Sequence, residues 1–387
     1  MLQATKVRIH PTEDQKAKLD IQFGCARWVW NKALEMRKAA YKEDGSFIKR
    51  TVLQVWVKEA KKHPETEWLK EADSQVLQYS LWNLDRAYDG FFKKRAGFPK
   101  FKSRKAPWQS IQYPQRVKVD GNKIYLPKVG WVKAVVHREI EGKIKTVTVK
   151  KAPTGKYYAS ILTENGQEPP EQVTHFDTVT GVDLGIETYY ADSDGRLVAN
   201  PRFIRAAEAN QRRKQRKLSR KTKGSKNRNK ARLLVAKAHE RVKNARMDFH
   251  HKLSFQLACE NQAVVIEDLA VKNMMQNRRL AKHIADVAWS SFTRMIGYKL
   301  MRKGGRLVVI DRWYPSSKTC SVCGHVMDAM PLRLRSWQCP ECKAKHHRDV
   351  NAAVNIKEQG VLILKADGCT VSACGGKHKT LEERAAA

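Results

Sequence analysis

Acidic residues are scarce in this chain. Asp and Glu number 39 against 75 Lys and Arg, which leaves a formal charge of +36 over 387 residues. An excess of that size repels itself, so a cationic partner is excluded and a large polyanion is expected. Long apolar runs are also missing. No stretch approaches the ~18 consecutive apolar residues of a membrane helix, so no membrane association is expected. Residues 1–9 alternate like a strand and do not read as a targeting signal. Eight cysteines without an export signal argue against an oxidising compartment. Ribosomal and chromatin proteins reach such charge, but they are usually shorter and lack the carboxylates described below. The apolar fraction, 42%, is ample for globular cores, and the length suits two to four modules.

What is present begins with Cys320-Ser-Val-Cys323 and Cys339-Pro-Glu-Cys342, two Cys-x-x-Cys pairs with fifteen residues between them. That spacing fits a four-thiolate zinc site, and a shell closed by four thiolates is structural. Gly324 after the first pair and Pro340 inside the second mark tight turns.

Along the chain, Leu2 to Ile9 reads as a strand ended by Pro11. Thr12 and Gln15 form a capping box, and Leu19, Phe23, Ala26, Trp30, Ala33 and Leu34 then recur at helical spacing. A helix over about 74–94 buries Leu77, Leu81, Leu84, Tyr88 and Phe91. Its other face carries Gln75, Gln78, Tyr79, Trp82, Asn83 and Arg86, side chains able to contact bases. Gly97-Phe-Pro-Lys-Phe-Lys-Ser-Arg-Lys105 is a basic, aromatic loop that breaks the helix and offers Lys100 and Lys102 as nucleic-acid-binding candidates. From Trp108 to Leu162 short β-branched segments alternate with turns, which predicts a small antiparallel barrel joined by the first strand. Gly166 to Pro170 reads as a linker.

Thr178 to Ala191 reads as one strand, with a turn at Asp192-Ser-Asp-Gly195 and a return strand. Residues 202–246 hold 18 Lys or Arg and two acids. Two helices meeting near Lys223-Gly224-Ser225 are predicted there. Arg212, Arg213, Lys214, Arg216 and Lys217 are the candidates for backbone contact, since one-signed density gives a helix little internal support. Ala263-Val-Val-Ile266 and Leu307-Val-Val-Ile310 read as strands buried on both faces, and a helix between them carries Ile284, Val287, Phe292 and Ile296. Another helix spans about 349–358. The sum is an α/β sheet layered by helices.

Asp183 alternates with apolar Val182 and Leu184, beside Gly185, whose missing side chain would admit a bulky substrate. Glu267 ends a buried run at the carboxyl edge of a strand, where open α/β sheets place their chemistry. Asp349 opens the last helix. Three hard oxygen ligands suit Mg²⁺ or Mn²⁺, and two such ions ~4 Å apart can hydrolyse a phosphodiester. The bland alternatives stand beside this: Asp349 as a helix-end acid, Glu267 as a strand-end acid, and Asp311 as a competitor.

Gly181-Val-Asp-Leu-Gly-Ile186, Val265-Ile-Glu-Asp-Leu269, Lys318-Thr-Cys-Ser-Val-Cys-Gly324, Cys339-Pro-Glu-Cys342 and Arg348-Asp-Val-Asn-Ala-Ala-Val-Asn-Ile356 resemble the TnpB family, insertion-sequence proteins related to type V CRISPR effectors. The resemblance runs over nearly the whole chain. It implies a multidomain α/β protein with an RNase H/RuvC-like nuclease domain at 175–316 and 344–365 and an inserted zinc ribbon at 317–343. A β-barrel wedge domain would occupy 1–10 and 103–174, carrying a helical recognition domain at 11–102. Asp183, Glu267 and Asp349 fall on the catalytic positions, with two Mg²⁺ (Mn²⁺ able to substitute) and one structural Zn²⁺ on Cys320, Cys323, Cys339 and Cys342. The implied activity is RNA-guided DNA cleavage beside a short flanking motif. The guide RNA comes from the transposon end, one protomer serves each RNA, and the expected location is cytoplasmic and nucleoid-associated in a prokaryote. A strand-transferring transposase and a nuclease-inactive regulator that binds RNA or DNA are the alternatives. Residues 366–387 are expected to be a disordered tail, in which Cys369, Cys374 and His378 could instead form a second metal site.

Overall fold

The computed structural model describes residues 1–106, 108–331 and 333–372. The chain divides into two compact units, 1–168 and 169–387. The boundary falls inside the linker expected at 166–170. Among the described residues no helix is long and apolar enough to cross a membrane.

In the first unit, β1 (Leu2–His10) leads into α1 (Glu13–Asp44), whose start is fixed by the Thr12/Gln15 capping box. Helices α2 (Arg50–Ala60) and α3 (Ser74–Phe92) follow, with a 3-10 turn over Pro64–Glu71 between them. Then come β2 (Gln109–Tyr113), β3 (Lys118–Asp120), β4 (Lys123–Leu126), β5 (Gly130–Val135), β6 (Lys143–Lys151) and β7 (Tyr157–Glu164). With β1 they form a seven-stranded antiparallel sheet in the order β2-β6-β7-β1-β5-β4-β3. The expected barrel is therefore an open sheet. Its apolar face packs on Leu19, Phe23 and Ala26 of α1 and Val76 of α3, so helices cover the surface that closure would have buried. A separate core of Val29, Leu34, Leu53, Leu77 and Leu84 joins the helices to one another.

The expected contact face of α3 is half-buried at Gln75, Gln78 and Tyr79. Asn83 donates to Gln112 Oε1 at 2.7 Å, so it is engaged within the unit. Lys102 holds its ammonium 3.7 Å from the centre of the Trp30 ring, and its backbone is clamped by Asn31, while Lys100 stays exposed.

In the second unit, β8 (His175–Phe176), β9 (Val179–Leu184), β10 (Thr188–Asp192) and β11 (Leu197–Ala199) precede the hairpin of α4 (Phe203–Ser219) and α5 (Lys226–Glu260). Next are β12 (Ala263–Glu267), α6 (Val271–Met274), α7 (Ala281–Val287), α8 (Trp289–Met301) and β13 (Arg306–Ile310). Strands β14 (Ser336–Gln338) and β15 (Lys345–His347), helix α9 (Arg348–Ala366) and β16 (Thr370–Val371) complete it. The five-stranded sheet runs β11-β10-β9-β12-β13, with β12 parallel to both neighbours and β10 antiparallel to β9.

Two sequence expectations change here. The strand expected over 178–191 is two strands, because the chain turns at 185–187. A side chain on Gly185 would sit 2.5 Å from the Thr188 carbonyl, so the turn rather than a substrate explains that glycine. The single helix expected between the buried strands breaks at Ala288, whose φ is +49°, and Arg246 donates to the carbonyls of Ala285 and Asp286 just before the break.

The central strands are buried on both faces, as expected. Val264 and Ile266 pack under α5, α7 and α8, and Ala263 and Val265 under α9. Helix α9 lies unusually close to the sheet. A Cβ on Gly181 would come 2.0 Å from the Ala353 carbonyl, and one on Gly360 would come 2.4 Å from Val265. Glycine at both positions lets α9 settle onto β9 and β12. The tail departs from expectation at its start. Thr370 and Val371 pair in parallel with His175 and Phe176, and Cys369 packs in the core beside them. Cys374 and His378 lie outside the described residues.

Candidate functional site

Asp183 stands near the end of β9, Glu267 is the last residue of β12, and Asp349 lies in the first turn of α9. The close seating of α9 on β9 brings these separate segments together. Burial pushes the Asp183 carboxyl up to about 7, helped by the negative charges of Asp349 and Glu267 and opposed by Arg348 and Arg335. Burial likewise raises Glu267 to about 7, with Asp268 adding to it. Asp183 therefore sits among like charges that a cation would offset. The three carboxylates are more widely spread than the cysteines: among the described residues only Cys320, Cys323, Cys339 and Cys342 hold their donor atoms within 4.8 Å of one another. The competitor Asp311 caps its own turn, accepting from the Trp313 amide at 2.7 Å.

Sequence reasoning missed Arg335. It donates to Asp349 Oδ1 at 2.9 Å and also to Glu187, whose place in the turn after β9 follows from the break there. A guanidinium thus neutralises one member of the carboxylate group from outside the sheet. An arginine shortly before the second cysteine pair was the available signal, but nothing in its spacing distinguishes it from Arg333.

The four cysteines are drawn together by two matching turns. In the first, Gly324 N–H donates to the Cys320 carbonyl at 2.9 Å and Cys320 N–H to His325 at 2.8 Å. In the second, Lys343 N–H donates to the Cys339 carbonyl at 3.0 Å and Cys339 N–H to Ala344 at 2.9 Å. Gly324 and Lys343 both take the left-handed conformation, at φ +76° and +60°. The sulfurs of Cys320 and Cys342 lie 3.6 Å apart, as do those of Cys323 and Cys339. Tetrahedral zinc thiolates would stand ~3.8 Å apart, so the donor set fits that ion. His346 Nε2 approaches Cys320 Sγ at 3.1 Å, a neighbour the Cys spacing does not reveal.

Two buried amides tie the first turn to α9. Asn351 accepts from the Ser321 amide at 3.0 Å and donates to the Thr319 carbonyl at 2.7 Å. Asn355, one turn later, donates to the carbonyls of Ser316 and Thr319, each at 2.7 Å.

The predicted basic residues fall on α4, which buries none of its side chains. Arg212 pairs with Glu208 at 2.6 Å, while Arg213, Arg216 and Lys217 are exposed. Arg228 of α5 donates to the carbonyls of Leu218 and Lys221, closing the end of α4 with a cation.

The site thus combines three carboxylates brought to one sheet edge, a four-cysteine knuckle whose donor set fits a metal ion, and a cationic hairpin. The comparisons narrow this. Residues 160–278 match the OrfB_IS605 family, described as "Probable transposase". Residues 289–356 match the Cas12f1-like TNB domain. Residues 1–46 match a family described as "Helix-turn-helix domain", although here they hold one strand and one continuous helix. A Streptomyces pristinaespiralis protein whose name includes "RNA-guided DNA endonuclease" is 40% identical, over 96% of this chain and 90% of its own length. Its Escherichia coli K12 counterpart, InsQ, is 33% identical over 94% and 93%. A chain from the cryo-EM structure of the Cas12f1-sgRNA-target DNA complex shares the fold with a TM-score of 0.56 at 13% identity, covering 92% of this chain and 98% of that one. The chain belongs to the TnpB family of insertion-sequence proteins.

Proposed function

We propose that this protein is an RNA-guided DNA endonuclease of an insertion sequence, and that Asp183, Glu267 and Asp349 are its catalytic carboxylates. The observation that carries the assignment of residues is the electrostatic meeting of three chain-distant acids at one sheet edge, felt by Asp183. The strand order, with the first three strands antiparallel and the next two parallel, supports reading residues 175–316 and 344–365 as an RNase H/RuvC-like nuclease domain with the ribbon at 317–343 inserted. The sheet of the first unit then serves as the wedge module and its helices as the recognition module.

The carboxylates would hold two Mg²⁺ ions, with Mn²⁺ able to replace them, because an all-oxygen donor set suits hard cations. When bound, such ions activate water and stabilise the leaving oxygen of a phosphodiester. The chain's own part is to keep Asp183 and Glu267 half-buried, Asp183 among like charges, so that their protons leave when positive charge arrives. Arg335 shields Asp349 from Glu187 and from its fellow ligands. The four cysteines would hold one structural zinc that rigidifies the entry to α9. The exposed cations of α4 track a nucleic-acid backbone, while sequence is read by base pairing of a guide RNA from the transposon end, one protomer to each RNA.

Asp183→Ala or Glu267→Ala should lower the cleavage rate of the RNA–protein complex at least ~100-fold, since even outer-shell changes at metal sites cost 10–100-fold. Binding of RNA and target should stay near normal. Exchanging only the guide segment should move the cut to a new site beside the same flanking motif. Cutting that stays at the original site, or that survives digestion of the RNA, would sink the reading. The description of the matched family favours a transposase as the second reading. Strand transfer would need a terminal 3′-hydroxyl, so joined rather than linear products would identify it.

A further inference from the structure

Glu267 has a second neighbourhood. With Leu184, Ile266 and Asp268 it lines a cavity of about 550 Å³ where the carboxyl ends of β9 and β12 meet α8 and β13. That size lies within the ~300–1,000 Å³ range of ligand pockets. The sheet side is apolar, formed by Leu307 and Val309, and α8 supplies the Tyr298 ring and Met301. The same stretch of α8 carries Arg294, an exposed guanidinium that has no ion-pair partner among the described residues.

An apolar slot lined by the Trp289 and Tyr298 rings, the latter with Arg302 over one face, a free cation on its lining and a catalytic carboxylate at its end match the two-part chemistry of a nucleotide. The planar base takes the slot and the phosphate takes the guanidinium. A base still paired and stacked in a duplex cannot enter, so the occupant must come from an unpaired strand. An apolar side chain of a partner protein would fill the slot too, but it brings no anion for Arg294. We propose that this cavity binds one unstacked nucleobase of the DNA strand lying at the carboxylates, with an adjoining phosphate on Arg294. The inference rests on reading Asp183, Glu267 and Asp349 as the nuclease centre. Its consequence is that the strand is anchored by a base next to the bond that is cut, and Tyr298, Met301 and Arg294 become positioning residues for that strand.

The test uses the full protein with its guide RNA and target DNA carrying 2-aminopurine at successive positions around the cut, with Ca²⁺ in place of Mg²⁺ so that the DNA stays intact. One position should change fluorescence on binding. An abasic residue at that position should lower kcat/KM in Mg²⁺ by roughly 5- to 100-fold, the range of one base–aromatic stack. Met301→Trp, which fills the slot, and Tyr298→Ala, which removes one of its rings, should each erase the fluorescence change and make the abasic substitution silent. Tyr298→Phe should behave as wild type. If guided cutting is intact but the fluorescence profile or the abasic penalty is unchanged in Met301→Trp, the pocket assignment falls while the nuclease reading stands. An abasic substitution without effect at every position in the wild type also overturns it, and points to a protein side chain as the occupant. Absence of guide-dependent cutting in the wild type removes the nuclease reading, and this proposal with it.

Discussion

Two helical regions of this chain carry nearly the same number of cations and use them in opposite ways. Residues 11–102 contain 19 Lys or Arg against 13 acids, and residues 202–246 contain 18 against two. In the first region many cations meet local acids, Lys18 with Asp14, Lys32 with Glu35 and Lys70 with Glu67 among them. Arg37 is 2% exposed, donates to Asp85 at 2.6 Å and to the Ile48 carbonyl at 3.0 Å, and lies over the Phe47 ring. Arg50 shares Asp85 and stacks on Trp82. In the second region α4 buries nothing. The difference teaches that a count of basic residues does not locate a polyanion site. The supply of local acids does, because a cation with a carboxylate partner is already neutralised.

The strongest way to break this comparison is to replace Arg212, Arg213, Lys214, Arg216 and Lys217 with Gln. Nucleic-acid affinity should fall on the order of 10- to 1,000-fold with the preferred sequence unchanged. The slope of log affinity against log salt should shrink by up to ~0.9 for each duplex phosphate that is no longer neutralised. An equal fall in affinity on neutralising five exposed Lys residues of the first region would show that the two regions do not differ.

Arg37→Leu addresses the other side. It should destabilise the protein by about 3 kcal/mol, the low end for a broken buried ion pair because Asp85 keeps Arg50. The salt slope of binding should not move. Denaturant unfolding and a salt titration on the same variant decide it.

Acids that are kept half-buried behave differently again, and pH sharpens that point. Asp183 and Glu267 are raised from ordinary values of 3.8 and 4.5 to about 7. Between those limits the folded chain holds protons that the unfolded chain has released. In magnesium-free buffer, stability from this site is therefore full below about pH 4 and lost as pH rises through 7, with a slope of at most ~1.4 kcal/mol per pH unit for each proton. Asp183→Asn should flatten part of that fall in thermal melts. Magnesium should help most above pH 7, where both groups are ionised.

The smallest effect belongs to the two cysteine turns. Lys343 takes a left-handed conformation where its counterpart is Gly324. Lys343→Gly should relieve ~1 kcal/mol of backbone strain, reduced by the loss of the Lys343 ammonium bond to the Pro340 carbonyl. Slower zinc release to a chelator is the expected readout.

Local signals carried much of the fold into view from sequence. The Thr12/Gln15 box, the apolar runs of β12 and β13, Gly224-Ser225 between the basic helices and the paired cysteines each act within a few residues. The features that escaped depend on partners far along the chain. Whether the first sheet closes was decided by Leu19 and Phe23 covering its face. The break at Ala288 lies beside Arg246, about forty residues away in the chain, which donates to the carbonyls of Ala285 and Asp286. Arg335 becomes part of the site only because α9 is seated by Gly181 and Gly360, and no pattern in the ribbon sequence encodes that approach. Asp183 and Glu267 showed their strand positions and Asp349 its helix start, but only the family resemblance preferred them to Asp311.

The amides of Asn351 and Asn355 have an engineering consequence. They belong to α9, yet they read main-chain groups at Ser316, Thr319 and Ser321. Because these bonds are to backbone, side chains in that loop can vary, but its path cannot. The knuckle is thus not an exchangeable cassette. A ribbon borrowed from a relative will graft only if its first turn presents the same carbonyls and amide to the two asparagines, whatever its cysteines do.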